Sequence, residues 1–195
     1  MSDYKKRMQK KKSYIDKSIS KANINKNLIV LLTGNGKGKT SSALGMIMRA
    51  LGYKMKIGIV QFIKGRKKTG EDLFLENEPL VTKIVMKTGF TWDTQNKEKD
   101  IITAQKIWEK AKKLLQDDTI KLIVLDEITY MLNYKYLDED EVINTILNRP
   151  KNQHLILTGR AANAKLIAIA DTVSEVRNIK HAFNNNIKAQ KAIDF

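Results

Sequence analysis

The chain alternates between short apolar runs and longer segments in which apolar residues recur at helical spacing. Short runs rich in Val, Ile and Leu indicate buried strands, and the helical spacing indicates amphipathic helices. Strands are predicted at residues 28–32, 56–62, 82–87, 120–127, 154–160 and 172–176. Helices are predicted at residues 39–51, 71–77, 97–116, 138–148 and 163–170.

Because strands and helices alternate, neighbouring strands are joined by crossovers and the sheet should be mainly parallel. We therefore expect an α/β fold with a central sheet of about six strands flanked by helices. This domain is expected to span residues 27–195, after a basic N-terminal arm at residues 1–26. A thin apolar stripe in the arm favours a helix, whereas its dense positive charge fits a disordered tail equally well.

A glycine-rich turn connects the first predicted strand to the first predicted helix. Its final residues, Gly38, Lys39 and Thr40, are typical of a phosphate-binding loop when they lie between a strand and a helix. Glycines let backbone N–H groups turn towards oxyanions, and the start of the helix adds a positive dipole end. Lys39 would contribute a full charge, and the Thr40 hydroxyl could reach a magnesium ion.

The loop departs from the usual pattern at one position. Five residues before Gly38, where glycine is usual, the chain has Thr33. The bound nucleotide therefore need not lie in the usual pose, and a glycine-rich turn without a ligand is the alternative interpretation. The predicted nucleotide-binding residues are Thr33, Gly34, Asn35, Gly36, Lys37, Gly38, Lys39, Thr40 and Ser41.

Two later strands end in charged residues. Asp126 and Glu127 close an apolar strand downstream of the loop, as the metal-side carboxylates of phosphate-loop folds do. Arg160 follows another buried strand and should reach the same edge of the sheet. There it could stabilise a polyphosphate, although position alone fits a surface salt bridge equally well.

A polar, turn-rich segment at residues 88–96 contains two large aromatic residues, Phe90 and Trp92. Aromatic side chains usually pack in the core, which is one interpretation of this pair. The other is a flat apolar wall for a large planar ligand. A third aromatic residue, Trp108, falls on the apolar face of a predicted helix and is expected in the core.

Composition narrows the possible functions. The chain has no cysteine, which excludes disulfides and thiol chemistry, and its two histidines lie far apart in sequence. Neither a membrane-length apolar run nor an apolar signal core is present, so we expect a cytoplasmic protein without a membrane partner. The net charge of +15 suggests a polyanionic partner, but lysine used as surface filler explains it as well.

Several motifs together resemble the P-loop type of ATP:corrinoid adenosyltransferase. The resemblance extends from about Leu28 to the end, and the loop with Thr33 is itself similar to the family's loop. The motifs are residues 33–40, 60–65, 88–92, 124–130, 157–160, 170–175 and 180–183. The family often has threonine where this chain has Ser41, which keeps the hydroxyl.

This resemblance implies a RecA-like fold, a homodimer, and transfer of the 5′-deoxyadenosyl group of ATP to a reduced corrinoid. ATP would lie reversed along the loop, with Lys39 and Arg160 as the catalytic residues that hold the triphosphate. Thr40 and Glu127 would bind Mg²⁺, with Asp126 behind them. Phe90 and Trp92 would lie beside the corrinoid, which the N-terminal arm would cover. An electron-donating reductase, such as a flavoprotein, would be a partner.

The competing hypothesis is a RecA-like ATPase that acts on nucleic acid, with Glu127 polarising water and the basic arm on phosphates. It explains the net charge but not the segment with Phe90 and Trp92, and no nucleic-acid-binding module is recognisable. A nucleotide-binding switch without chemistry also remains open.

Overall fold

A computed structural model describes residues 3–65, 68–86 and 96–195. Its strands are β1 Ile29–Thr33, β2 Lys56–Gln61, β3 Val81–Val85, β4 Ile120–Asp126, β5 His154–Thr158 and β6 Thr172–Glu175. Its α-helices are α1 Asp3–Lys21, α2 Lys39–Gly52, α3 Gly70–Leu75, α4 Lys97–Gln116, α5 Ile128–Asn133, α6 Glu139–Leu147 and α7 Ala164–Ile169. A short 3₁₀ helix follows at Ala182–Asn185.

The strands form one sheet in the order β3-β2-β4-β5-β1-β6, and every adjacent pair is parallel. The expected α/β, RecA-like class with about six strands and flanking helices is therefore confirmed. Strand β5 lies between β1, which leads into the glycine-rich turn, and β4, which ends in the acidic pair. The carboxyl ends of these strands meet at one edge of the sheet, where parallel sheets bind ligands.

Both faces of the sheet are covered, which explains why the central strands are continuously apolar. Successive side chains of a strand point to opposite faces, so Ile57 and Ile59 pack with α2, whereas Val60 packs with α4. Trp108 of α4 is 2% exposed, as predicted for a core residue. Its Nε1 donates to Glu141 Oε1 at 3.2 Å, which ties α4 to α6.

Capping residues fix where the helices begin. Asn96 accepts a hydrogen bond from the Lys99 N–H at 3.0 Å, and Asp138 accepts one from the Glu141 N–H at 2.8 Å. Each satisfies a backbone donor that the first turn leaves unpaired.

Helix α1 lies outside the core, and every one of its side chains is exposed. Among the residues that the structure describes, no helix has both the length and the apolar character needed to cross a membrane.

Candidate active site

A cleft of about 990 Å³ opens at the carboxyl edge of the sheet. The cleft is lined by residues of the glycine-rich turn, the end of β2, helix α3 and the C-terminal part of the chain, together with Glu127 and Arg160. The cleft therefore brings together, in one place, most of the charged motifs that are scattered along the sequence.

The glycine-rich turn packs against the chain that follows β6. The Gly36 N–H donates to Val176 O at 2.7 Å, and a Cβ at Gly36 would lie 2.7 Å from that oxygen. Gly34 has φ +96°, and a Cβ there would lie 2.5 Å from Val176 O. Contacts this close leave no room for a side chain, so glycine is required at both positions.

Lys39 begins α2 and is only 6% exposed. Its Nζ donates to Gly34 O at 2.8 Å and to Gly36 O at 2.9 Å, so the side chain folds back under the turn. Burial lowers the pKa of Lys39, and the nearby Glu127 carboxylate opposes that shift. The ammonium thus lies where the backbone N–H groups of the turn would receive an oxyanion.

Asp126 is buried at the end of β4, and its carboxylate accepts three hydrogen bonds from three different elements. Thr40 Oγ1 of α2 donates to Oδ1 at 3.0 Å, and Thr158 Oγ1 of β5 donates to the same oxygen at 2.6 Å. Gln61 Nε2 of β2 donates to Oδ2 at 3.2 Å. Hydrogen bonds to both oxygens fix the orientation of the carboxylate.

Glu127 follows directly and has a left-handed backbone, with φ 59° and ψ 30°. This conformation costs a non-glycine residue on the order of 1 kcal/mol, and it starts α5 immediately afterwards. The Glu127 N–H donates to Thr158 Oγ1 at 2.9 Å. Its Oε2 is buried and has no hydrogen-bond partner among the residues that the structure describes. Burial, reinforced by Asp126, raises the pKa of this carboxyl to about 7.

Arg160 lies just beyond β5, where its side chain is exposed and lines the cleft. Burial is the largest cause of the pKa shifts of Lys39 and Glu127. The positive charge of Arg160 adds to the lowering of the Lys39 pKa and opposes the rise of the Glu127 pKa. Two cationic groups, Lys39 and Arg160, therefore act on the same end of the cleft as the acidic pair.

A second charged network lines the cleft beyond the end of β2. Lys64 and Lys83 both form ion pairs with Asp72, and Lys64 Nζ also donates to Gln61 Oε1 at 3.1 Å. The two ammonium groups hold the pKa of the Asp72 carboxyl well below its usual range, against the opposing effect of burial. Through Gln61 this network is connected to Asp126.

Comparison with known proteins assigns the family. The model of the family described as ATP:corrinoid adenosyltransferase BtuR/CobO/CobP matches residues 25–195. The chain belongs to this family. The match favours adenosyl transfer over the alternative of an ATPase acting on nucleic acid.

Similarity to individual relatives extends over nearly the full length of this adenosyltransferase. The corrinoid adenosyltransferase of Escherichia coli K12 is 44% identical, with all of both chains covered. That of Pseudomonas aeruginosa is 46% identical, covering 98% of this chain and 95% of the relative. Among solved structures, a KaiC-like protein of Pyrococcus horikoshii has a TM-score of 0.48 and 20% identity, covering 82% of this chain and 77% of that one.

Most of the predicted site residues of the adenosyltransferase lie together. The cleft is lined by Asn35, Gly36, Lys37, Gly38, Lys39, Thr40, Ser41, Glu127 and Arg160. Thr33 lies beneath the turn, where its Oγ1 accepts from the Ala162 N–H at 3.2 Å, and Gly34 offers its carbonyl to Lys39. Phe90 and Trp92 lie outside the described residues.

Sequence reasoning missed three components of the adenosyltransferase site. Thr158 and Gln61 both lie in motifs that carry the family resemblance, but the sequence assigns neither of them a role in the site. The chain after β6 showed no chemistry in the sequence, although it forms one wall of the cleft. The sequence did contain a signal for Thr158 and Gln61, because each is a polar residue at the carboxyl end of a predicted strand.

Proposed function

We propose that the enzyme transfers the 5′-deoxyadenosyl group of ATP to the cobalt of a reduced corrinoid, cob(I)alamin or a precursor, and releases triphosphate. The family match across residues 25–195 carries this proposal. The cleft supports it, because the phosphate-loop lysine Lys39, the exposed Arg160 and the Glu127 carboxylate all line it.

The reaction forms a bond between cobalt and the ribose 5′ carbon and breaks the bond between that carbon and the triphosphate oxygen. The reduced cobalt supplies the electron pair for the new bond, and triphosphate leaves with the pair of the broken bond. Catalysis therefore requires alignment of the nucleophile and stabilisation of the leaving anion. We assign the second task to Lys39, to backbone N–H groups of the turn and to Arg160.

The proposed magnesium ligands are Thr40 and Glu127, with Asp126 behind them. The residues fit such an ion, because Glu127 Oε2 is buried with no partner in the described part of the chain and Asp126 accepts from the Thr40 hydroxyl at 3.0 Å. Among the described residues, no group of three or more His, Cys, Asp or Glu forms a metal cluster. Mg²⁺ needs only one or two carboxylates when phosphates and waters complete its shell. When bound, the ion would neutralise charge on the polyphosphate.

The corrinoid would bind beside Phe90 and Trp92, and the arm before Asn27 would cover it. These assignments come from the family resemblance, as do a homodimer, a cytoplasmic location and a reductase that delivers electrons. Removal of the lower axial ligand by the two aromatic rings would make the cobalt easier to reduce.

Incubation with ATP, Mg²⁺ and chemically reduced cobalamin tests the reaction directly. The corrinoid spectrum should show a new cobalt–carbon bond, and triphosphate should form in equal amount. Orthophosphate and ADP without a change in the spectrum would contradict the proposal. Lys39→Ala is the matched control for background transfer.

The corrinoid pocket has its own test, in the variants Phe90→Ala and Trp92→Ala. If the rings form the pocket wall, the melting temperature and ATP affinity should remain near those of the wild type. Transfer from cob(II)alamin with a mild reductant should then fall more steeply than transfer from pre-reduced cob(I)alamin. If Phe90 and Trp92 are core residues instead, each truncation should lower the free energy of unfolding by about 3–5 kcal/mol. Transfer activity should then fall equally in both assays.

A further inference from the structure

The chain after β6 forms a wall of the cleft directly beside the glycine-rich turn. It is attached there by two backbone hydrogen bonds, from the Gly36 N–H to Val176 O at 2.7 Å and from the Val176 N–H to Thr33 O at 2.8 Å. Further along, residues 192–195 return to line the same cleft. We refer to residues 177–195 as the C-terminal segment.

The C-terminal segment places a carboxylate on a lysine of the turn. Lys37 Nζ donates to Asp194 Oδ1 at 2.8 Å. The other oxygen, Oδ2, accepts from the Gln190 N–H at 2.8 Å, and the Asp194 N–H donates to Gln190 O at 2.8 Å. A local turn therefore holds the carboxylate in position, and the ion pair with Lys37 lowers the pKa of Asp194.

The ion pair between Asp194 and Lys37 would hinder the binding of a polyphosphate at the glycine-rich turn. A fixed negative charge beside a phosphate loop repels a polyanion, and it also occupies the ammonium group that the polyanion would use. The side chains of Lys37 and Asp194 are 45% and 27% exposed, so the pair is open to water. Ion pairs of this kind are weak and exchange their partners at little cost.

We propose that Asp194 is a positioning residue that acts as the resident counter-ion of Lys37, which polyphosphate displaces on binding. Lys37 exchanges the carboxylate for a phosphate oxygen when ATP enters, and returns to Asp194 when triphosphate leaves. The exchange weakens the affinity for substrate and product alike, and so favours release of a product that the turn would otherwise retain. This inference rests on the proposed binding of ATP at the turn.

The variant Asp194→Asn tests the exchange, because it removes the charge and keeps the shape. The dissociation constants for ATP and for inorganic tripolyphosphate, measured by calorimetry at low salt, should both fall by about two- to fivefold. The KM for ATP should fall and inhibition by tripolyphosphate should strengthen by a similar factor. Single-turnover transfer at saturating ATP should remain unchanged.

Two control variants separate this role from a structural one. Asp194→Glu keeps the charge and should bind tripolyphosphate nearly as the wild type does. Glu76→Gln removes one charge from another exposed ion pair, with Lys68 at 2.5 Å, whose two residues do not line the cleft. It should leave all of these constants unchanged.

A double-mutant cycle with Lys37→Ala then locates the effect. The gain in affinity from Asp194→Asn should shrink in the Lys37→Ala background, because the competition for Lys37 no longer exists. Weaker or unchanged binding by Asp194→Asn, or an equal gain in both backgrounds, would overturn the exchange. If the variants give such a result while the wild-type enzyme still transfers the adenosyl group, only the exchange is refuted. If the wild-type enzyme binds neither ATP nor tripolyphosphate, the proposed function is refuted as well.

Discussion

The hydroxyl of Thr158 supports both acidic residues of the site. It donates to Asp126 Oδ1 at 2.6 Å and accepts from the Glu127 N–H at 2.9 Å, and the side chain is fully buried. Thr158→Val replaces the hydroxyl with a methyl group of similar size. It therefore removes the two hydrogen bonds while it keeps the packing on β5.

The expected loss of stability follows from these two bonds. A hydrogen bond to a charged acceptor contributes about 1.5–3 kcal/mol, and a buried N–H left without a partner costs about 1–3 kcal/mol. The Asp126 carboxylate keeps its bonds from Thr40 and Gln61, which limits the first loss. We therefore expect Thr158→Val to lower the free energy of unfolding by about 2–4 kcal/mol. With an m-value of about 2 kcal/mol/M, the urea midpoint should fall by about 1–2 M.

Urea unfolding and the magnesium dependence of transfer are the two measurements. The Thr158→Val enzyme should need more Mg²⁺ for half-maximal activity, because Asp126 and Glu127 lose a shared support. Thr158→Ser keeps the hydroxyl and should lose only about 1 kcal/mol of stability through the missing methyl group. If the valine variant matched the serine variant in stability and in Mg²⁺ requirement, the hydroxyl would not support the acidic pair.

The remaining predictions concern individual charges. Lys39→Ala should reduce kcat/KM for adenosyl transfer by about 100-fold or more, since an unmatched leaving-group charge costs about 3 kcal/mol; near-wild-type turnover at saturating ATP would contradict this. Glu127→Gln should raise the Mg²⁺ concentration for half-maximal transfer, because an amide is a poor ligand for a hard cation; an unchanged requirement would place the metal ligand elsewhere. Asp72→Asn leaves Lys64 and Lys83 without their carboxylate and should cost about 1–3 kcal/mol of unfolding free energy at pH 7, after allowance for solvent screening. Because folding depresses the pKa of Asp72, its contribution is complete above its ordinary value of 3.8 and is lost as the pH falls through the folded value. The stability gap to the wild type should therefore narrow below about pH 4 in urea titrations, and a constant gap at pH 3 would contradict the assignment.

The sequence was sufficient to predict the elements with strong periodicity. All six strands form, and the helix predicted at residues 97–116 has those bounds in α4. Helix α5 and the 3₁₀ helix at Ala182–Asn185 were missed, because six and four residues are too few to show a helical period. The bounds of α3 and α7 were off by one or two residues, as is usual where short helices end in turns.

Within the site, the sequence predicted the residues whose chemistry is carried by local motifs. Lys39 and Thr40 follow from the strand–turn–helix context, and Glu127 follows from an acidic end to an apolar strand. The pairing of Lys37 with Asp194 could not be predicted in this way. The two residues are separated by 157 positions, and their contact depends on how the C-terminal segment folds back over the turn.

The surroundings of Asp126 show why strand order decides the site. In the sheet β4 lies between β2 and β5, and the register pairs Gln61 of β2 with Asp126. On the other side Leu125 pairs with Leu157, so Thr158 is the next residue along β5. Two of the three side chains that donate to Asp126 therefore come from its two neighbouring strands, and the third, Thr40, comes from the helix after β1. Because a parallel sheet can arrange the same strands in another order without changing their sequences, local patterns predict the carboxylate but not the groups that hold it. A shift of one residue in either pairing would turn Gln61 or Thr158 to the opposite face of the sheet and leave Asp126 with a hydrogen bond missing.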